Sequence, residues 1–303
     1  MKEKSHPILI TIIIILGIAF CSALFAVISQ NLRAPSTEVS EPTTPAIPGE
    51  SKPYNFDYSW TDSSPYIAHA LGGIFGSNYS NSYEGFLLNY ELGQRLFEAD
   101  FNLTEDGDVV LLHTEEEWKN RLTSNNRPLT TENFLSALYD NKFHTMDYRT
   151  LIDLMISHPD VYLITDSKYL DQANITKEFT QIVAYAKEKD PSVLNRFVIQ
   201  IYYPEMLNYI MEVYPWKSVI YTLYQNPDWT PESVANFAKE SGVKVITIHY
   251  SLITPEIAKL WNDADLTVAA FTVNDLSAVN QLRQDYNVKL FYTDYLLPYT
   301  FSR

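Results

Sequence analysis

The chain has 303 residues, 46% of them hydrophobic and 19% charged, which is enough for one large domain or two ordinary ones and too apolar for a disordered protein. Lys and Arg number 22 against 37 Asp and Glu, and a net charge of -15 is the wrong sign for holding a polyanion, so no nucleic-acid partner is expected. The only cysteine, Cys21, lies in an apolar stretch near the N-terminus, which leaves the rest of the chain without a disulfide or a thiolate metal site.

Residues 8–28 read ILITIIIILGIAFCSALFAVI, an uncharged run long enough to cross the hydrocarbon core as a helix. Lys2 and Lys4 precede it and Glu38, Glu41 and Glu50 follow, a bias that puts the N-terminus in the cytoplasm and everything after residue 30 outside. The run exceeds a usual signal-peptide core, which favours a single-pass anchor in the cell membrane; a cut after Ser29 would release a secreted protein instead. Prolines at 35, 42, 45, 48 and 53 then mark an extended tether. The expected organisation is a membrane anchor or signal segment over 1–30, a flexible linker over 31–56 and a folded domain over 57–303.

Within that domain, short β-branched or aromatic runs alternate with amphipathic stretches. The spacing predicts strands over 66–70, 96–101, 108–113, 161–166, 196–202, 218–223, 243–249, 266–273 and 288–294. Nine strands suit an eight-stranded (β/α)₈ TIM barrel with one extra hairpin strand, and a doubly wound open sheet is the alternative. Thr230-Pro231-Glu232 and Thr254-Pro255-Glu256 each place a capping threonine before a first-turn proline and an acidic residue, so helices are expected to start there. Gly242 and Gly93 are placed to close helices.

In a barrel, groups that meet substrate sit at the C-terminal ends of strands. The first predicted strand carries His69 near its end, the second contains Glu98 and Asp100, the hairpin strand ends in His113, and the next ends in Asp166 with Lys168 just beyond. Glu98 and Asp100 are two apart, so on a strand both carboxylates face the same side. Two inward carboxylates need a cation; with Asp166 they offer three hard oxygen ligands and no sulfur, a set suited to Mg²⁺ or Ca²⁺. The E-x-D triplet by itself is also what a solvated strand end looks like. His69 and His113 can act as a general base and a general acid across one bond, or be structural. Lys168 either neutralises a non-bridging phosphate oxygen or pairs with a site carboxylate. Gln200, Tyr202, His249 and Asn274 are further polar residues near strand ends, where local hydrogen bonding is the usual role.

IAHALGG from Ile67, NSYEGF from Asn81, LFEADFNLTEDGDVVLLH from Leu96 to His113 and LITDSK from Leu163 to Lys168 follow one another in a known order. The chain resembles the glycerophosphodiester phosphodiesterase family, over a stretch running from residue 64 to residue 296. The resemblance implies a TIM barrel, a divalent metal ion, and hydrolysis of a phosphodiester with His69 and His113 exchanging protons. It makes Glu98, Asp100 and Asp166 the metal ligands and puts Lys168 on the family's lysine after the third carboxylate. Departures accompany it. Ala70 stands where the family has a phosphate-binding arginine, Ser80-Asn81-Ser82 replaces Glu-Asn-Thr, and Phe271 replaces a tryptophan. Asn81 with Glu84 also reads as a helix capping box. The reduced ligand set is similar to that of sphingomyelinase D type phospholipases, whose disulfide-held insertion one cysteine cannot supply.

The expected function is metal-dependent hydrolysis of a glycerophosphodiester-type substrate at the cell surface, with a small phosphodiester or lipid-derived compound as substrate and His113 as the acid. The alternatives are a phospholipase D-like enzyme acting on membrane lysolipids and a non-catalytic module that binds glycerophosphate polymers.

Overall fold

Among the described residues, eleven strands follow in chain order: β1 Tyr66–Ala68, β2 Leu96–Leu103, β3 Val109–Leu111, β4 Leu138–Tyr139, β5 Phe143–His144, β6 Tyr162–Ser167, β7 Phe197–Ile201, β8 Val219–Thr222, β9 Val245–His249, β10 Thr267–Phe271 and β11 Leu290–Thr293. The computed structural model describes residues 53–299, so the expected anchor over 1–30 and the linker as far as residue 52 lie outside the described residues. Among the described residues, no helix is long and apolar enough to cross a membrane.

The sheet order is β1-β11-β10-β9-β8-β7-β6-β2-β3, and β1 also pairs with β2 through Ala68 and Phe97, which closes eight parallel strands into a barrel. The open-sheet alternative is thereby excluded. β3 is the extra strand, antiparallel to β2 with Leu111 opposite Phe101. The small β4–β5 hairpin was not expected from sequence, because strands of two residues carry no readable alternation. The first strand is shorter than expected. It stops at Ala68, and His69–Leu71 form a 3-10 turn in which the Ala70 N–H leaves the sheet to donate to Glu98 Oε2 at 2.8 Å.

The helix signals act as read. Thr230 accepts from Ser233 N at 3.1 Å and Thr254 from Ile257 N at 3.3 Å, opening helices Pro231–Ser241 and Pro255–Asp263. Gly242 closes the first of these at φ 84°, and a Cβ there would lie 2.1 Å from the Tyr54 carbonyl oxygen, so conformation and space both require glycine.

The alternation along the strands places the site. One apolar residue from each barrel strand (Ile67, Leu96, Ile164, Val198, Ile220, Val245, Ala269 and Leu290) packs in one buried cluster with Trp60 and Tyr292. Two residues beyond each of these come His69, just past the end of β1, and Glu98, Asp166, Gln200, Thr222, Thr247, Phe271 and Tyr292 on their strands, and all eight line a single cavity of about 220 Å³. Because side chains repeat with period two, one step of alternation carries the barrel interior from a dry plug to a polar chamber. The outward faces of the strands and the helices form the larger core, including Phe97, Ala99, Phe101, Phe179 and Trp261.

Candidate active site

Glu98 and Asp100 stand on β2 with Asp166 beside them on β6, where Asp100 pairs with Asp166 in parallel register. One oxygen from each of the three carboxylates lies within 4.8 Å of the others, and all three residues are buried. Like charges at that spacing in a low-dielectric setting call for a cation. Among the described residues Glu98 Oε1 is buried with no hydrogen-bond partner, an orphaned carboxylate oxygen of the kind a bound cation would satisfy. Burial raises the Glu98 carboxyl, with Asp100 pushing in the same direction. Burial acts on Asp100 too, but Lys168 and the two histidines outweigh it and hold that group low.

Lys168 Nζ lies 2.5 Å from Asp100 Oδ1 and 2.5 Å from Asp166 Oδ2. Its side chain thus makes the carboxylate pairing that was one of its two readings. Desolvation would lower its pKa, but Asp100 and Asp166 keep it raised and charged. Asp166 Oδ1 is crowded with donors: Gln200 Nε2 at 2.8 Å, Tyr224 Oη at 2.9 Å and the Tyr202 hydroxyl. Three donors and an ammonium fix its carboxylate in one orientation. Of the three acids it therefore has the least free coordinating capacity, and an ion taking Asp166 Oδ2 would compete with Lys168 for it.

His69 and His113 flank the same cavity. His69 Nδ1 lies 2.9 Å from Asp294 Oδ1, and Asp294 is itself fixed by Asn274, whose Nδ2 donates to Oδ2 at 2.7 Å and whose Oδ1 accepts from the Asp294 N–H at 2.7 Å. A proton on Nδ1 facing Asp294 leaves Nε2 as the atom free for chemistry. Burial disfavours the imidazolium, yet Asp294, Glu98 and Asp100 together raise His69 to about 9. His113 is lowered, by burial first and by Lys168 and His69, against the pull of Asp100. Its Nδ1 lies 3.8 Å from Glu117 Oε1, and Glu117 is raised to about 7 by burial and Asp100. Tyr79 sits between the two imidazoles, with ring centroids 4.6 Å from His69 and 4.7 Å from His113.

In the ion-free protein, the His69 resonance is expected to titrate near 9 in pH-dependent NMR and to fall toward 6.5 in Asp294→Asn, because a raising carboxylate has been removed. The linked stability has a defined sign. With the folded value above the ordinary 6.5, the contribution is complete below about 6.5 and is lost as pH rises through about 9. An unchanged His69 titration in Asp294→Asn would rule out the pairing.

The capping-box reading of Asn81 and Glu84 is corrected. Ser82 is the N-cap of helix Tyr83–Glu91, accepting from Gly85 N at 3.1 Å, whereas Glu84 binds the backbone and ring of His144. Asn81 instead faces the site, giving Nδ2–H to Asp100 Oδ2 at 2.7 Å and accepting the Asp100 N–H at 3.1 Å. A neutral amide thus supports Asp100 at both its carboxylate and its backbone N–H. Of the further polar residues near strand ends, Gln200 and Tyr202 bind Asp166 and Asn274 binds Asp294, while His249 accepts locally from Ser251. The sequence reading missed Asp294, Glu117, Tyr79 and Tyr224. Asp294 had a usable signal, lying two residues beyond the inward-facing Tyr292; Tyr79 is on a loop and had none.

The glycerophosphoryl diester phosphodiesterase family model matches residues 73–297. No curated protein matches the chain. Solved structures share the fold. A candidate glycerophosphoryl diester phosphodiesterase of Silicibacter pomeroyi is 20% identical with a TM-score of 0.64, over 80% of this chain and 92% of that one. An Oleispira antarctica phosphodiesterase in complex with its product sn-glycerol-3-phosphate is 16% identical with a TM-score of 0.64, over 80% and 97%. A Parabacteroides distasonis glycerophosphodiester phosphodiesterase is 17% identical with a TM-score of 0.61, over 79% and 95%. With a barrel, an acidic triad and a family model that spans most of the described residues, this chain belongs to the glycerophosphoryl diester phosphodiesterase family and is a phosphoric diester hydrolase.

Proposed function

We propose that the protein hydrolyses a glycerophosphodiester, with Glu98, Asp100 and Asp166 holding a divalent ion, Mg²⁺ or Ca²⁺, and with His69 and His113 moving the protons. The observation that carries this reading is the convergence of three carboxylates within 4.8 Å of one another, two of which, Glu98 and Asp166, line the same cavity as the two histidines. The product bound by the Oleispira antarctica structure supports a small glycerol phosphate moiety as the part retained in the site. When bound, the ion supplies Lewis-acid stabilisation of charge on the phosphoryl oxygens.

The residues do the rest. A cation held by Glu98 and Asp100 would offset their pull on the imidazolium and would favour the neutral form of His69. Its Nε2 then accepts the proton of the attacking hydroxyl as the new P–O bond forms; where that hydroxyl is water the product is glycerol phosphate directly, and where it is a neighbouring glycerol hydroxyl the product is a cyclic phosphate that a second attack, by water, opens. His113 gives a proton to the departing alkoxide as the old P–O bond breaks. Asp294 keeps the His69 ring in place throughout. Lys168, which lies between Asp100 and Asp166 and lines the cavity, presents its ammonium charge to a non-bridging phosphate oxygen. Concentrating positive charge in this way is necessary in a protein of net charge -15.

We place the folded domain, residues 57–303, outside the cell on a single-pass anchor over 1–30 and a linker over 31–56, on the support of the uncharged run 8–28 and the lysines before it. The direct test is release of glycerol phosphate from a panel of soluble glycerophosphodiesters, with chelator and with Mg²⁺, Ca²⁺ or Mn²⁺ restored. Turnover is expected to vanish with chelator and return with one of these ions. Chelator-insensitive turnover would remove the ion from the mechanism, and failure to cleave any phosphodiester would reject the reading altogether.

A further inference from the structure

Tyr79 stands between the two imidazoles on a segment whose backbone is held in an unfavourable shape. Its φ is 57° and that of Asn81 is 44°, both in the left-handed region that a bulky side chain rarely adopts. Bonds on either side keep it there. The Asn78 carbonyl accepts from Arg121 Nη1 at 3.1 Å, the Asn81 N–H donates to the Ala70 carbonyl at 3.1 Å, and the Asn81 amide is bound both ways to Asp100. A strained conformation persists only where its surroundings over-determine it, and such positions gather at functional sites. The strain here places one ring edge-on to His69, at 79°, and tilted by 46° to His113.

The ring accounts for the packing and leaves the hydroxyl to be explained. Tyr79 lines the cavity together with both histidines. Burial raises its pKa, and Asp294, Asp100, Glu98 and Glu117 raise it further, so the phenol keeps its proton in the field of four carboxylates. Among the described residues it donates that proton to none of them, since Tyr79 meets its neighbours through the ring. Other donors of the cavity are committed or distant. Gln200 and Tyr224 give theirs to Asp166, while Thr222 and Thr247 stand on β8 and β9, opposite β1 and β2 in the closed sheet. In a displacement at phosphorus the entering and leaving oxygens lie roughly in line, so the non-bridging oxygens lie between the base and the acid. Tyr79 occupies that position, with its ring centroid 4.6 Å from His69 and 4.7 Å from His113.

We infer that the Tyr79 hydroxyl donates a hydrogen bond to a non-bridging oxygen of the bound phosphodiester, which makes Tyr79 a phosphate-binding residue of the site. The inference rests on the phosphodiesterase reading and deepens it. Tyr79→Phe removes the oxygen and keeps the ring. With Mg²⁺ or Ca²⁺ restored, this variant is expected to lose about ten- to a hundredfold in kcat/KM, the usual size of a hydrogen bond to a charged group. The loss should be equal for alkyl and nitrophenyl diesters, because both present the same non-bridging oxygens. Binding of sn-glycerol 3-phosphate, followed by calorimetry, is expected to weaken by about tenfold or more. The NMR titrations of His69 and His113 in the ion-free protein are expected to match those of the wild type, whereas a role exerted through the imidazoles would move them. Full activity in Tyr79→Phe with loss only in Tyr79→Ala would reduce the ring to a spacer and overturn the inference. Displaced histidine titrations, or a loss confined to alkyl diesters, would overturn it too. A wild type that binds no glycerol phosphate and cleaves no diester would instead reject the phosphodiesterase reading, and the role of Tyr79 with it.

Discussion

Replacing Asp100 with asparagine is expected to lower phosphodiester turnover by about a thousandfold or more, since an ion's stabilisation of the transferring phosphoryl is worth several kcal/mol and each ~1.4 kcal/mol is a factor of ten. Asp100 is the central acid of the site. It is 1% exposed, takes hydrogen bonds from Asn81 and pairs with Lys168 at 2.5 Å, and its carboxylate is the one held ionised most strongly. An asparagine there keeps the shape and the Asn81 contact in part but removes a full negative charge from the triad. A binding readout separates this effect from misfolding. Saturating Mg²⁺ or Ca²⁺ at about a hundred times its dissociation constant is expected to stabilise the native protein by about 2.7 kcal/mol, or roughly 5–10 °C in melting temperature for a domain of this size. Asp100→Asn should melt cooperatively without that rise. A variant that still gains the full rise, or that keeps its turnover, would show that these acids do not hold the ion.

His113→Ala is expected to cost about 10²–10⁴-fold on diesters with an alkyl leaving group, the usual contribution of a positioned proton donor. The size of the loss should depend on the leaving group. A nitrophenolate departs without needing a proton, so the same variant should lose only about tenfold or less on a nitrophenyl diester. His69→Ala, which removes the acceptor of the nucleophile's proton, is expected to lose activity on both. Equal losses for His113→Ala on the two substrates would reverse the acid and base assignments. Glu117, 3.8 Å from His113 Nδ1 and held by Tyr139 Oη at 3.3 Å, is positioned to steady the donor's charged form.

Much of this site was legible in the order of residues. The barrel could be read because each strand announces itself by β-branched and aromatic runs, and the helices by Thr-Pro-Glu starts at 230 and 254. Glu98, Asp100 and Asp166 could be grouped because a strand's period of two is a local rule, valid before anything folds around it. His69 and His113 were reachable by the same rule, although the first strand ends a residue before His69. The rule also held across the whole barrel, since the residue two beyond each apolar plug position lines the chamber.

Other features depend on contacts between distant parts of the chain. Asp294 meets His69 across 225 residues because β11 and β1 are neighbours only once the barrel closes. Tyr79 comes between the histidines by way of a loop whose backbone visits positive φ repeatedly, a path no propensity encodes. Asn81 looked like part of a helix cap because its short-range chemistry fits one, and only the adjacency of β2 turns its amide toward Asp100. By itself, then, the sequence determined the class of fold, the face on which the chemistry lies and the residue types gathered there, all consequences of local periodicity and capping. The tertiary structure alone decided which carboxylate stands behind each histidine and where Lys168 rests, because charge and hydrogen bonding are settled by distances through space rather than along the chain.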